Sequence, residues 1–307
     1  MTGCLRLCSG AAVSLPPLLE WSIRQTDGDP CGSFSVCFAF EAAWLPVLKQ
    51  AVGFTAEDDG RTVFTGLVDD FAVKLDRRGA LAEVSGRSMA AALMDNQVRA
   101  AEFVSAQLED ILRLYVKPYG ITRIDAAPMG QVANFAVETG YTCWQVLTGF
   151  CRHSADIFPR FLADGTLVLR KDAYGKTVWL GEEILQAQYV RNRYGVAARQ
   201  VLINTRNGSM QAADYAEFQK LGGTRVQYAG MTGNKVRASF RTAKQRLDDA
   251  KRDEKLLYVT APGVFLAEPL DMVSVKLDAL GISGTFTVQE AQSGCDETGA
   301  TCTLILR

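Results

Sequence analysis

Ser88 stands where a hydrolase could place a nucleophile. It follows a predicted strand and precedes a predicted helix, which is the setting of a nucleophile elbow. Either Asp95 or Asp110, and then the chain's only histidine, His153, come later in the sequence. Serine, acid and histidine follow one another in this order in enzymes built on that elbow. The residue types and their order therefore raise the hypothesis of an esterase.

The local sequence favours a structural role for the same serine. The elbow needs a second glycine where this chain has Ala90, and the strand–helix alternation of a parallel sheet is missing. A turn at Gly86 followed by Ser88 as a helix N-cap explains these residues without catalysis. Between them, Arg87 fits two roles equally well, a local salt bridge or a contact with a partner protein.

Paired carboxylates raise a second enzyme hypothesis, a glycosidase. Such enzymes need one carboxyl group in an apolar pocket opposite another. The Gly- and Pro-containing turns around Asp27, Asp29 and Asp58–Asp59 predict solvated side chains, and Asp69 and Asp70 alternate across a strand. The chain also lacks a phosphate-binding loop and a dinucleotide glycine fingerprint. We therefore predict that the chain is not an enzyme, with no catalytic and no cofactor-binding residues.

The eight cysteines also need an explanation. They contain no Cys-x-x-Cys spacing, and a single histidine is too few for a common zinc site, so we predict no metal. Without a secretion signal, disulfides are not expected. We predict buried free thiols for cysteines that fall in sequence-local pairs: Cys4 and Cys8, Cys31 and Cys37, Cys143 and Cys151, and Cys295 and Cys302.

Charge and hydropathy exclude some function classes. The 307 residues contain 33 Lys and Arg against 34 Asp and Glu, a net charge of −1, which argues against a dedicated nucleic-acid binder. No apolar run reaches the roughly 18 residues of a membrane span, so no membrane insertion is expected. Arg6 interrupts the apolar start of the chain, so we expect no signal peptide and synthesis in a bacterial cytoplasm.

The periodicity divides the chain into three regions. Alternating strands and turns predict a first antiparallel β-barrel over residues 1–92. A small α+β module follows over 93–183. A second barrel over 184–307 contains an amphipathic helix near 238–256, and the two barrels can exchange segments. The fold class is thus mainly β with an α+β insertion.

Local signals place the elements of the middle module. Ser105 is predicted to cap a helix that ends near Gly120, and Thr142 with Gln145 forms a capping box for the next helix. Asp164-Gly165 predicts a type I′ turn in a hairpin.

The segment Val63–Asn96 resembles the baseplate hub proteins of phage tails. It combines an aromatic-Thr-Gly strand, a tight turn and a Val-Ser-Gly-Arg-Ser strand that leads into a helix. The stretches 105–120, 140–147 and 266–306 are also similar to this family. The related proteins are the Mu-like and late control protein D-like hubs of contractile tails, prophages and tail-like particles.

The resemblance implies a structural protein with two tube-protein-like barrels and a small α/β insertion. It implies a homotrimer whose six barrels form a pseudo-six-fold ring, adapting a hexameric tail tube to a trimeric spike. The implied partners are the tail tube or a tube initiator protein, the spike protein and other baseplate proteins. The implied location is the baseplate of a virion or tail-like particle. The alternative from another class is a tail-associated cell-wall hydrolase, a glycosidase or an esterase.

Overall fold

The computed structural model describes residues 1–27, 31–77, 79–171, 175–180, 183–231 and 236–307. The predicted mainly β fold with an α+β insertion is confirmed. Three regions follow one another along the chain: an N-terminal β unit, a middle α+β module and a C-terminal region that contains a second β unit. Among the described residues, no helix is long and apolar enough to cross a membrane.

The N-terminal β unit encloses a core rich in phenylalanine. Phe34 stacks on Phe54 with ring centroids 4.1 Å apart, and Phe64 packs against both rings. These side chains alternate with outward-facing residues, as expected for strands with one buried face. The unit consists of β1 (Thr2–Leu7), β2 (Ala12–Ser14), β3 (Leu18–Thr26), β4 (Ser33–Ala39), α1 (Trp44–Leu48), β5 (Ala51–Asp58), β6 (Arg61–Asp76) and β7 (Gly79–Ser88).

The long strand β6 changes partner along its length. Its first half pairs with β5 and its second half with β7, and the register shifts between Val68 and Asp70. Gly86 lies opposite this shift, and a Cβ atom added there would sit 1.9 Å from the carbonyl oxygen of Leu67. Gly86 is therefore a strand residue at a close backbone approach, and the predicted turn at this position is wrong.

The middle module packs two helices against short sheets around a buried cluster that includes Phe135, Leu147 and Phe150. The Thr142–Gln145 capping box is confirmed, with the Gln145 amide donating to Thr142 Oγ1 at 3.1 Å. The elements are α2 (Ala91–Met94), β8 (Ala101–Ala106), α3 (Leu108–Tyr115), β9 (Ile124–Ala126), β10 (Val132–Val137), α4 (Cys143–Ala155), β11 (Arg160–Phe161) and β12 (Leu167–Leu169).

Two local predictions for this module are wrong. Ser105 lies in β8, and α3 begins after Gln107 without a side-chain cap, because the β8–β10 pairing extends the strand to Ala106. The β11–β12 turn has a positive φ only at Gly165, so it is not the type I′ turn predicted for Asp164-Gly165.

The C-terminal region begins with two strands of the second β unit and returns to that unit after a small sheet. Within the described part of the chain β14 pairs only with β19, whereas β15, β16 and β17 form a separate three-stranded sheet. The elements are β13 (Thr177–Trp179), β14 (Gln186–Arg191), β15 (Arg199–Asn204), β16 (Met210–Asp214), α5 (Ala216–Lys220), β17 (Val226–Met231), β18 (Val236–Arg237), α6 (Ala243–Lys251), β19 (Lys255–Pro262), β20 (Met272–Leu277), β21 (Ile282–Asp296) and β22 (Gly299–Leu306).

The helix predicted near 238–256 is shorter in the structure. α6 spans Ala243–Lys251, and both of its flanks are strands. The preceding strand β18 pairs with β10, so the chain contributes a strand to the middle module after residue 184. Ala238 is buried in the core of that module. Residues 238–242 stay outside the helix because Thr242 is its N-cap, with the Thr242 hydroxyl accepting a hydrogen bond from the Gln245 amide.

The two β units share one continuous sheet. β21 of the C-terminal unit pairs antiparallel with β3 of the N-terminal unit. The resulting path runs β14-β19-β22-β21-β3-β4-β7-β6-β5-β1-β2, and β20 and β13 branch from β21. Each unit retains its own hydrophobic core. The two ends of the sequence are thus joined by main-chain hydrogen bonds as well as by side chains.

Candidate assembly surface

The residues of the esterase hypothesis have separate surroundings. Ser88 ends β7 and its amide donates to the Gly32 carbonyl at 2.9 Å. It does not cap a helix, because α2 begins after Ala90. Asp95 is bound by Arg87. The ion pair of Asp110 is with Arg113 on the same helix.

His153 lies against an aromatic ring at the end of α4. Its imidazole stacks on Phe240 with ring centroids 5.2 Å apart. Burial lowers the pKa of His153, and the nearby Arg241 guanidinium lowers that pKa further. Nε2 has no hydrogen-bond partner within the described part of the chain. The neutral ring is therefore a packing element between α4 and the segment that precedes α6.

The carboxylates of the glycosidase hypothesis are likewise divided among different contacts. Asp58 pairs with the N-terminal amine at 3.0 Å, and Asp59 has the positive φ of a turn residue. Asp69 and Asp70 are exposed in β6. The prediction of a solvated Asp27 is wrong, since its side chain is 2% exposed. Asp29 lies outside the described residues.

All eight cysteines are free, as predicted. Burial holds for Cys143, Cys151 and Cys302, whereas Cys8 is exposed and the other four are half-buried. Burial raises the pKa of Cys151 to about 12, so this thiol stays protonated at neutral pH. Among the described residues, no group of three or more His, Cys, Asp and Glu side chains could hold a metal ion.

Arg87 forms the local salt bridge that was one of its two predicted roles. Its Nε and Nη2 atoms bind Asp69 at 2.6 and 2.9 Å, and Nη1 and Nη2 bind Asp95 at 3.0 and 2.8 Å. The hydrogen bonds that Arg87 donates to both carboxylates raise the pKa of Arg87, and those donated to Asp95 lower the pKa of Asp95. Arg87 thus fastens the shifted part of β6 to the start of the middle module.

The junction between the two β units is built from charged and buried groups. Arg24 binds Glu290 through two parallel hydrogen bonds of 2.7 and 2.6 Å, a bidentate geometry that fixes the register of β3 against β21. Asp27 accepts hydrogen bonds from Arg252 after α6 and from Arg307 at the end of the chain. Burial raises the pKa of Asp27, and the two guanidinium groups oppose that rise.

The two β units have the same strand order. The N-terminal unit runs β3-β4-β7-β6-β5-β1 and the C-terminal unit runs β14-β19-β22-β21-β20-β13. In both units one long strand pairs with its preceding neighbour along its first half and with its following neighbour along its second half. The chain therefore contains an internal duplication of a β unit, in which only the last strand differs in direction: β1 runs antiparallel to β5, whereas β13 runs parallel to β20.

The central hairpins of the two units match residue by residue. Asp76 pairs with Gly79 across a two-residue turn, and Asp296 pairs with Gly299 in the same way. The register shift before Asp70 recurs before Glu290. Each position lies 220 residues from its counterpart. Equal turn length and an equal bulge position make this a structural equivalence, because a single-residue change in either would reverse the faces of the strand.

The equivalence is confined to the β units, and the module between them matches a known family. Residues 90–171 match the family model described as baseplate hub protein gp44-like, second domain. The match covers α2 to β12, which is the middle module. The sequence resemblance to baseplate hubs is confirmed for this region.

The whole chain has the fold of phage tail proteins. A tail protein from Neisseria meningitidis superposes with a TM-score of 0.75 at 18% identity, covering 99% of this chain and 95% of that one. A 43 kDa tail protein of prophage MuSo2 from Shewanella oneidensis gives 0.73 at 16% identity, with coverages of 100% and 97%.

A third structure extends the likeness to secretion machinery. The Escherichia coli c3393 protein is described as a component of the type VI secretion system with structural similarity to the bacteriophage T4 tail proteins gp27 and gp5. It superposes with a TM-score of 0.60 at 11% identity, covering 94% of this chain and 73% of that one. No curated protein sequence matches the chain.

The sequence predicted two barrels, but its periodicity did not show which positions correspond, because the two units share few side chains at equivalent positions. Gly86 of one unit corresponds to Leu306 of the other, and Phe34 corresponds to Leu257. The detectable signals were the two long strands with Asp-x-x-Gly turns at Asp76–Gly79 and Asp296–Gly299.

Proposed function

We propose that this chain is the structural hub of a tail baseplate, in a phage or a tail-like injection particle. Three copies form a ring around a channel and present six β units in pseudo-six-fold arrangement. That ring adapts a six-fold tail tube on one face to a three-fold spike on the other. The internal duplication carries this proposal, since two equivalent units per chain convert three-fold symmetry into six similar docking positions.

The family match and the fold support the same assignment. The middle module matches the hub family model, and tail proteins share the fold of the full chain. Near-neutral net charge suits contacts with proteins better than tight binding of nucleic acid. We expect the channel wall to be polar without being strongly basic, so that DNA or an effector protein passes without being retained.

The test is the symmetry of the chain in its assembled particle. Low-resolution electron microscopy should show a ring with three copies around a central channel, in contact with tube and spike proteins. Native mass spectrometry of the released baseplate should give a number of copies of this chain that is a multiple of three. A six-fold ring of six chains, or a single copy per particle, would contradict the hub proposal.

We propose further that the chain has no wall-degrading activity. The residues of both enzyme hypotheses are engaged in separate contacts, Asp69 with Arg87 and His153 with Phe240. Purified protein should leave peptidoglycan turbidity unchanged, with a known lysozyme as the positive control. Lysis that disappears in Ser88→Ala or Asp69→Asn would overturn this proposal and favour a tail-associated hydrolase.

A further inference from the structure

The in-chain junction uses one edge from each β unit. β3 presents the backbone groups of Trp21, Ile23 and Gln25 to β21, in a ladder continued by the hydrogen bond from the Asp27 amide to the Gln289 carbonyl at 2.8 Å. Ile23 lies opposite Ser293, and both are almost fully buried. The junction therefore buries core-facing side chains of both units where the two sheets meet.

The structural duplication gives each of these edges a counterpart. The counterpart of β21 is the second half of β6, and the counterpart of β3 is β14. Among the described residues, residues 70–76 of β6 pair only with β7, and β14 pairs only with β19. The chain thus carries a second pair of junction edges, and both of them are open.

At both open edges the backbone amides point in the same directions as the amides at the in-chain junction between β3 and β21. The Phe40 amide donates to the Ala80 carbonyl, so the backbone groups of Ala80 face β4, and those of successive residues of β7 face β4 and β6 in turn. Given the β6–β7 register, the amides of Phe71, Val73 and Leu75 in β6 therefore face away from β7. In β14, the bond from the Asn192 amide to Glu254 leaves the amides of Ala187, Tyr189 and Arg191 facing away from β19. Both edges offer free donors and acceptors in a matching pattern.

Side chains along the two open edges are exposed, whereas their counterparts at the in-chain junction are buried. Val73 is 39% exposed, whereas its counterpart Ser293 is 2% exposed. Tyr189 is 45% exposed, whereas its counterpart Ile23 is 1% exposed. Leu75, near the hairpin tip, is 83% exposed. Core-facing apolar side chains are exposed at the open edges because no neighbouring unit covers them.

We propose that β6 pairs antiparallel with β14 of a second copy of this chain, reproducing the β21–β3 junction between copies. The register carried over from that junction places Val73 opposite Tyr189, Lys74 opposite Gln188 and Leu75 opposite Ala187. This inference rests on the proposed ring, and it names the contact that closes the ring. Repeated head to tail, the contact is heterologous and joins each copy to the next.

Charge at one end of the contact is complementary. In this register Asp69 lies opposite Arg193, as Gln289 lies opposite Asp27 in the closed junction. Asp69 and its neighbour Asp70 are exposed, and so is Arg193. Asp69 already binds Arg87 in its own chain, so in this register Arg193 of the next copy is a second cation beside the same carboxylate.

Disulfide trapping in assembled particles tests the register. Lys74 and Gln188 would form a non-hydrogen-bonded pair, whose Cα atoms lie about 4.5 Å apart and within disulfide range. The double variant Lys74→Cys/Gln188→Cys should give covalent dimers and trimers on a non-reducing denaturing gel. Each single variant, and the off-register pair Lys74→Cys/Gln186→Cys, should give at least tenfold less.

A proline scan tests the edge itself. Tyr189→Pro removes an amide that faces the open edge and leaves the β14–β19 ladder intact, so the chain should fold with an unchanged circular dichroism spectrum and lose the ring. Ala212→Pro is the matched control, because its amide faces away from β15 on an unrelated edge. That variant should keep the ring.

The outcomes separate this inference from the proposed function. A three-fold ring that forms without the Lys74→Cys/Gln188→Cys cross-link, or that persists in folded Tyr189→Pro, would mean that other surfaces close the ring. The inference would then be wrong and the hub proposal would stand. A wild-type particle without a ring of three chains would overturn both.

Discussion

The two β units have an arginine at the same position after the central hairpin, and the two arginines bind different parts of the molecule. Arg87 follows the central hairpin of the N-terminal unit, and Arg307 occupies the equivalent position in the C-terminal unit. Arg87 binds Asp69 in its own unit and Asp95 in the middle module. Arg307 binds Asp27 across the junction with the other unit. The same scaffold position therefore serves a module contact in one unit and a unit-to-unit contact in the other.

The cores of the two units differ in a related way. Phe34 and Phe38 pack inside the N-terminal unit, and their counterparts in β19 are Leu257 and Ala261. The N-terminal unit requires glycine at position 86, whereas the equivalent position of the C-terminal unit holds Leu306, which is fully buried. The duplicated fold is thus held by different packing solutions with the same strand order, as expected when volume and patterning are preserved.

The largest effect should come from breaking the close backbone approach in the N-terminal unit. Gly86→Ala places a Cβ atom 1.9 Å from the Leu67 carbonyl oxygen, so β6 and β7 must separate. We expect the free energy of unfolding to fall by about 3 kcal/mol in urea denaturation followed by tryptophan fluorescence. The control Gly130→Ala meets only Ser154 Oγ at 3.9 Å. Equal stability of the two variants would contradict the strand geometry.

A second variant compares the closed junction with the open edge. Asp27→Ala removes a buried carboxylate and leaves two guanidinium groups without it, which should cost about 3 kcal/mol in the same assay. Its counterpart on the open edge is Arg193, and Arg193→Ala should change the isolated chain by less than about 0.5 kcal/mol. A large loss from Arg193→Ala in the monomer would show that this edge is already engaged within the chain.

The smallest loss of stability is expected from the arginine that binds the middle module. Arg87→Ala removes a two-carboxylate contact that is about one third exposed, so the expected loss is about 1 kcal/mol. Arg113→Ala, which removes one exposed pair within α3, should cost less than about 0.5 kcal/mol. Thermal unfolding of both variants measures the difference. Identical midpoints would show that Arg87 contributes no more than an ordinary surface ion pair.

Local signals in the sequence predicted the elements whose partners are near in the chain. Thr142 and Gln145 formed the expected capping box because both ends of each hydrogen bond lie within one helical turn. The same Thr-x-x-Gln spacing at Thr242 and Gln245 marks the start of α6. This signal predicts a helix that begins after Thr242, later than the start near residue 238 that amphipathic spacing predicted. Ser105 failed as a cap because a tertiary strand pairing overrode its local preference.

The mainly β class, the α+β insertion and the resemblance of residues 63–96 to baseplate hubs could all be predicted from the sequence. Periodicity and turn chemistry act over a few residues and are legible in one chain. The burial of Asp27, the union of the two sheets and the residue-by-residue correspondence of the two β units became visible only in the tertiary structure. These depend on contacts such as Arg24–Glu290, which joins residues 266 positions apart. Strand pairing is made by backbone groups that every sequence shares, so it leaves no side-chain signature of its partner.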